Sequence, residues 1–134
     1  EYTREHVMPS LRAGWARRPG GHEDFTVAVM IGAVLTTEHG KAREDLRRTL
    51  NGYLRLPNYQ RLMRASGFAD DVQAGRFSDA ALDVLTASGG AARLKEVVTA
   101  YREAGATDIL VVPAGDAHQD QARFAATLEA AIDA

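Results

Sequence analysis

The feature that most constrains the fold is an apolar run from Phe25 to Leu35. It reads Phe-Thr-Val-Ala-Val-Met-Ile-Gly-Ala-Val-Leu and does not alternate between apolar and polar residues. Strands that are buried on both faces have this composition, and they belong to parallel sheets covered by helices. The run is too short for a membrane-spanning helix, which needs about 20 residues. It therefore predicts a buried strand of a parallel sheet.

The segments on either side of this run have helical periodicity. Residues 1–18 place Met8, Leu11 and Trp15 on one helical face, and the helix is expected to end at the Pro-Gly-Gly of residues 19–21. After the run, Thr36 and Thr37 can cap a second helix. Its apolar face is formed by Leu46, Leu50, Tyr53 and Leu54, and Pro57 ends or kinks it.

The middle of the chain has weaker signals. A short helix is expected around Tyr59–Met63, a short turn over 70–75, and a helical piece from a Ser78 cap to Leu82. Residues Val84–Ser88 are interpreted as a brief strand, although pattern alone does not separate strand from helix in so short a segment.

The last third is the clearest part of the chain. Gly89-Gly90 is expected to open a helix, and Gly105 to end it in the left-handed conformation. Ile109–Val112 is a short apolar strand ended by Pro113, and residues 114–118 form a loop. A final amphipathic helix carries its apolar face on Phe124, Leu128, Ala131 and Ile132.

This alternation of helices and strands predicts a single α/β domain with a parallel sheet over residues 1–134. Three strands leave two sheet edges with unpaired backbone groups. The missing strands would come from an upstream half or from a second copy; otherwise the sheet remains a small open sandwich. Because residue 1 is Glu and the first residues are already helical, we expect a longer chain upstream.

Composition excludes several classes of function. The formal net charge is −2, which gives no indication of nucleic acid or an anionic membrane as a partner. The absence of cysteine excludes disulfides, thiolate metal sites and a cysteine nucleophile. No His or carboxylate pair has metal-ligand spacing, and no signal peptide opens the sequence. A cytoplasmic location is the default expectation.

Several segments, in order, resemble a known family. Val98–Pro113 (VTAYREAGATDILVVP) is similar to the last helix–strand unit of luciferase-like monooxygenases. Arg43–Tyr59, followed by Ser66-Gly-Phe68, resembles the stretch after the family's sixth strand, and Met8–Gly14 the helix before it. The similarity is closest to the branch that uses the deazaflavin coenzyme F420 in place of FMN.

The resemblance implies a fold and a function. The chain would be the C-terminal half of a (β/α)₈ TIM barrel, a fold that typically needs about 250 residues. Phe25–Leu35 would be strand six, Val84–Ser88 strand seven and Ile109–Val112 strand eight. The parent would be a flavin- or F420-dependent oxidoreductase or monooxygenase of a small organic substrate. We expect the chain alone to be inactive, because strands one to five would hold most of the cofactor.

A barrel carries its active site at the carboxyl ends of the strands, which selects three loops. The loop after strand seven, with Ser88, Gly89, Gly90 and Arg93, is the predicted cofactor-binding site. Glycine permits close backbone approach, and a following helix N-terminus attracts a phosphate. An ordinary turn is the alternative, since the family's usual proline is replaced by Ala91.

The other two loops supply predicted substrate-binding residues. These are Thr36 and Thr37 after strand six, and Asp116 and His118 after strand eight. Each has a structural alternative: the threonines can cap a helix, and Asp116 with Gln119 forms a capping pattern. His22 is expected to be structural, and His6 and His39 to be solvated on helices.

Two hypotheses therefore remain at the level of sequence. In the first, the chain is part of an oxidoreductase whose cofactor does the chemistry. In the second, it is a non-catalytic half-barrel that forms a homo-oligomer or binds another partner.

Overall fold

The computed structural model describes residues 1–20, 25–36, 38–115 and 120–132. Three strands form one sheet: β1 (Ala28–Leu35), β2 (Ala87–Gly89) and β3 (Asp108–Pro113). The α-helices are α1 (Met8–Trp15), α2 (His39–Leu50), α3 (Pro57–Ala65), α4 (Ala69–Ala74), α5 (Asp79–Leu85), α6 (Ala91–Glu103) and α7 (Gln121–Ile132). A π-helical turn (Thr3–Val7) precedes α1, and a 3₁₀-helix (Asn51–Arg55) follows α2.

The sheet is parallel, with the strand order β2-β1-β3. Residues Ala28 to Ala33 of β1 pair with Asp108 to Pro113 of β3, whereas β2 pairs only with Ala33 to Leu35. The predicted α/β class and parallel sheet are therefore confirmed. The order differs from that of a (β/α)₈ barrel, in which consecutive strands are neighbours and β2 would lie between the other two.

The two faces of the sheet carry separate hydrophobic cores. On one face, Val34 packs with Leu46 of α2, Met63 of α3 and Leu82 of α5. On the other face, Ile31 and Ala33 pack with Leu94, Val97 and Val98 of α6, and α7 covers the same core. This double covering explains the continuous apolar composition of β1.

The helix cover is incomplete at one place. Met30 of β1 is 49% exposed, and its pairing partner Leu110 of β3 is 51% exposed. Val112, two residues along the same face of β3, is 37% exposed. The expectation that these strands are buried on both faces is therefore wrong for this corner.

Several sequence expectations about element boundaries are wrong. β1 begins at Ala28 and not at Phe25, and α1 ends at Trp15, before the expected end at Arg18. Val84 and Leu85 belong to α5, and the strand begins only at Ala87, because the Ser78 cap starts a helix that runs to Leu85. Gly89 belongs to β2, so α6 begins at Ala91 with Gly90 as its N-cap. The left-handed end of α6 is confirmed, since Gly105 has φ of 106°.

Candidate functional site

The carboxyl ends of β1 and β2 lie side by side, and a helix begins after each of them. The N–H of Thr36 donates to the carbonyl of Gly89 over 2.9 Å, which joins the two strand ends. From this point α2 begins at His39 and α6 at Ala91. The N-termini of α2 and α6 therefore lie at the same edge of the sheet. The predicted phosphate-binding loop lies at this edge as well.

Gly89 has the most constrained backbone in this loop. Its φ is 133°, a conformation that residues with a Cβ rarely adopt. A Cβ built there would lie 3.6 Å from the Cβ of Arg93 and 3.7 Å from Cε1 of His39, which are ordinary contact distances. The position therefore requires glycine for its backbone conformation, and the same distances place the His39 ring beside the loop.

The first turn of α6 offers two N–H groups to an anion. Gly90 has an extended backbone, and no side chain caps the helix. The N–H of Arg93 donates to the Gly90 carbonyl over 3.0 Å, so it is not free to bind a ligand. The N–H groups of Ala91 and Ala92 come earlier in the helix and have no carbonyl partner within it. These two groups can bind a phosphate or carboxylate.

The side chain of Arg93 connects α6 to α5. Its Nη2 donates to the carbonyl of Asp83 over 2.8 Å, and its Nη1 lies 3.2 Å from the carboxylate of Glu96. These contacts hold the guanidinium on the side of the helix that faces α5. That Arg93 helps to bind an anion at the loop stays a prediction. The same holds for Ser88, which is half-buried.

Thr36 is the described member of the predicted substrate-binding set. Its Oγ1 accepts a hydrogen bond from the N–H of Glu38 over 3.0 Å, which turns the chain into α2. Glu38 is the N-cap residue of that helix, so Thr36 is not. Thr37, Asp116 and His118 lie outside the described residues, as does the capping pattern proposed for Asp116 and Gln119.

Sequence reasoning missed His39 as a site residue. The sequence places His39 on a helix, where it was expected to be solvated, and its side chain is indeed exposed. It is, however, the first residue of α2 and lies against the Gly89 position. Its imidazole can donate a hydrogen bond to an anion held at this edge. The available signal was its position four residues after the end of β1.

A second polar cluster lies where α2 and α7 meet at the same edge. Arg123 Nη2 donates to Asp45 Oδ2 over 2.9 Å, and the two side chains are only 11% and 8% exposed. Arg123 Nε lies 3.1 Å from Asp120 Oδ2. Thr127 Oγ1 accepts from the N–H of Leu35 over 3.1 Å. Because the charges here compensate each other, the cluster joins elements and does not offer a binding charge.

Comparison with known proteins adds no assignment, since no family model, curated protein or solved structure matches this chain. Within the described ranges, no three His, Asp or Glu side chains are grouped so that they could hold a metal ion. In the same ranges, no helix is long and apolar enough to cross a membrane.

Proposed function

We propose that this chain is the C-terminal part of a luciferase-like oxidoreductase, in which the edge formed by β1 and β2 holds the phosphate-bearing end of a flavin or deazaflavin. The observation that carries the proposal is the start of α2 and α6 on either side of Gly89. Backbone N–H groups and helix dipoles at such a place favour an anion. The sequence resemblance supports the proposal that this anion is the phosphate group of a redox cofactor.

The residues present fit the phosphate end of the cofactor. Coenzyme F420 and FMN both carry a phosphate, which the N–H groups of Ala91 and Ala92 would bind. His39 would donate a further hydrogen bond, and Gly89 would leave the backbone accessible. The bound cofactor would supply the hydride transfer or oxygen activation. The N-terminal half of the barrel would hold its ring.

The observed strand order places a requirement on this proposal. In a barrel, strand six pairs with strand five on the side away from strand seven. In this chain, β3 occupies that side of β1 over six residue pairs. An N-terminal half that supplied strand five would therefore have to displace β3 from β1, and β3 would re-pair beside β2.

The test is a titration of the chain with inorganic phosphate, FMN and coenzyme F420, followed by backbone amide NMR. We expect all three to shift the amides of Ala91 and Ala92 at millimolar concentration. We also expect the flavin absorption spectrum to stay unchanged, because the ring has no site here. Gly89→Val should abolish the shifts through its disfavoured φ. Gly52→Val is the control, since the position has open space around it.

The outcome of this titration separates two failures. Absence of any phosphate-dependent shift at Ala91 and Ala92 would refute the anion site itself. Shifts with phosphate but not with FMN or coenzyme F420 would keep an anion site and refute the cofactor assignment.

A second candidate, a non-catalytic module that forms a dimer, is favoured by the exposed Leu110 and Val112 of the edge strand β3. Exposed apolar strands at a sheet edge pair readily with a second copy. Sedimentation should then show a dimer that Leu110→Lys converts to monomer. A monomer at all concentrations would exclude this candidate.

A further inference from the structure

An open slot lies along the amino-terminal half of β1, away from the carboxyl edge. Its volume is about 840 Å³. One wall is formed by the 3₁₀-helix and α3, with Tyr53 and Leu62, and by Phe68 at the start of α4; the other is formed by α6, with Val97 and Tyr101. The two walls are the helix layers on opposite faces of the sheet, and the edge of β1 forms the floor between them.

Backbone groups of β1 face into this slot. The carbonyls of Val27 and Ala33 accept hydrogen bonds from residues 107 and 114, on the β3 side. Successive residues of a strand direct their N–H and C=O groups to opposite sides, so Ala28 and Met30 direct theirs away from β3. On that side β2 begins only opposite Ala33. Among the described residues, no strand pairs there with Ala28 or Met30.

The slot is mainly apolar, with an acidic rim. Glu1, Glu5 and Glu96 are among its lining residues, and Arg93 and His6 are the basic residues that line it. Arg93 already forms an ion pair with Glu96. The remaining acidic charge favours an occupant with cationic ends and disfavours an anionic one.

We infer that this slot binds an extended apolar segment of a partner protein, flanked by lysine or arginine, as an added strand on β1. The segment would bond to the N–H and C=O groups of Ala28 and Met30, which is the way peptides extend an exposed sheet edge. Its alternate side chains would contact the α3 and α6 walls in turn. This inference does not depend on the redox proposal, because it concerns the opposite end of β1.

The test uses the whole 134-residue chain and a fluorescent peptide, Lys-Lys-Val-Thr-Val-Thr-Val-Lys-Lys, with fluorescence anisotropy as the readout. We expect saturable binding that weakens as salt is raised. Replacing the lysines by glutamate, or N-methylating alternate residues of the peptide, should weaken it by about tenfold or more, since these changes remove charge complementarity or backbone bonds.

Two matched variants locate the binding. Ala100 lies on α6, is exposed and lines the slot, so Ala100→Trp should fill it and weaken binding by about tenfold or more. Thr99 is the next residue, is also exposed and does not line the slot, so Thr99→Trp should change binding less than about twofold.

Three results would overturn the inference: no saturable binding of the peptide, equal binding by the two tryptophan variants, or unchanged binding of the N-methylated peptide. Self-association of the chain that Ala100→Trp abolishes, without peptide binding, would show that the occupant is a second copy and would also overturn it.

Discussion

The ion pair between Asp45 and Arg123 joins α2 to α7, which cover opposite faces of the sheet. Its atoms are 2.9 Å apart, and both side chains are nearly buried. Removing one partner leaves a buried charge without full compensation, which costs about 3–5 kcal/mol in the general case. We expect losses at or just below the low end of that range here, because each partner keeps a second contact.

The ion pair that each residue keeps after the substitution of its partner determines how much stability is lost. After Arg123→Leu, Arg48 is the charged partner that Asp45 keeps among the described residues; it is 3.6 Å away and 69% exposed, so we expect a loss of about 3 kcal/mol. After Asp45→Leu, Arg123 keeps Asp120 at 3.1 Å, which is 33% exposed, so we expect about 2 kcal/mol. The double variant leaves neither charge and should lose only about 3 kcal/mol, a coupling of about 2 kcal/mol.

Urea unfolding of the four proteins measures this coupling directly. The control cycle uses Arg76 and Glu44, which are 3.5 Å apart and more than half exposed. Its coupling should be below about 1 kcal/mol. If the losses of unfolding free energy in the two single variants sum to that of the double variant within about 0.5 kcal/mol, Asp45 and Arg123 do not act as one buried ion pair.

Two further predictions concern stability. Burial raises the pKa of Tyr101 above its ordinary value of 10.0. The contribution of the buried, neutral Tyr101 to folding stability is therefore complete below pH 10, and it is lost as the pH rises from 10 toward the folded-state pKa. Tyr101→Phe should flatten the alkaline fall in urea midpoint, and an unchanged fall would contradict this. Gly115→Ala should cost about 2–4 kcal/mol, because φ is 111° and the new Cβ would lie 2.5 Å from Arg123 Nη2. Gly75→Ala, at φ of 64° with open space around it, should cost only about 1 kcal/mol; equal losses would mean that the Arg123 contact does not matter.

Local patterns in the sequence determined the class of the fold and most of its elements. The unbroken apolar run predicted β1, because a strand of a parallel sheet covered on both faces is apolar throughout; the carboxyl-terminal half of β1 is buried in this way. Gly105 predicted the end of α6, and its φ of 106° confirms the reason. The sequence also selected the loop at Gly89, since a glycine before a helix is a local signal.

Contacts between distant residues decided the rest. The sequence pattern at Val84 and Leu85 is compatible with a strand or a helix. These residues are helical because Ser78 caps α5 and α5 packs on α2. Asp45 and Arg123 are 78 residues apart, and no local pattern pairs them. His39 lies beside the proposed anion site only because β2 pairs beside β1. Apolar periodicity states which face of an element is buried, but it does not state which neighbour covers it. The strand order β2-β1-β3 therefore came from the tertiary structure alone.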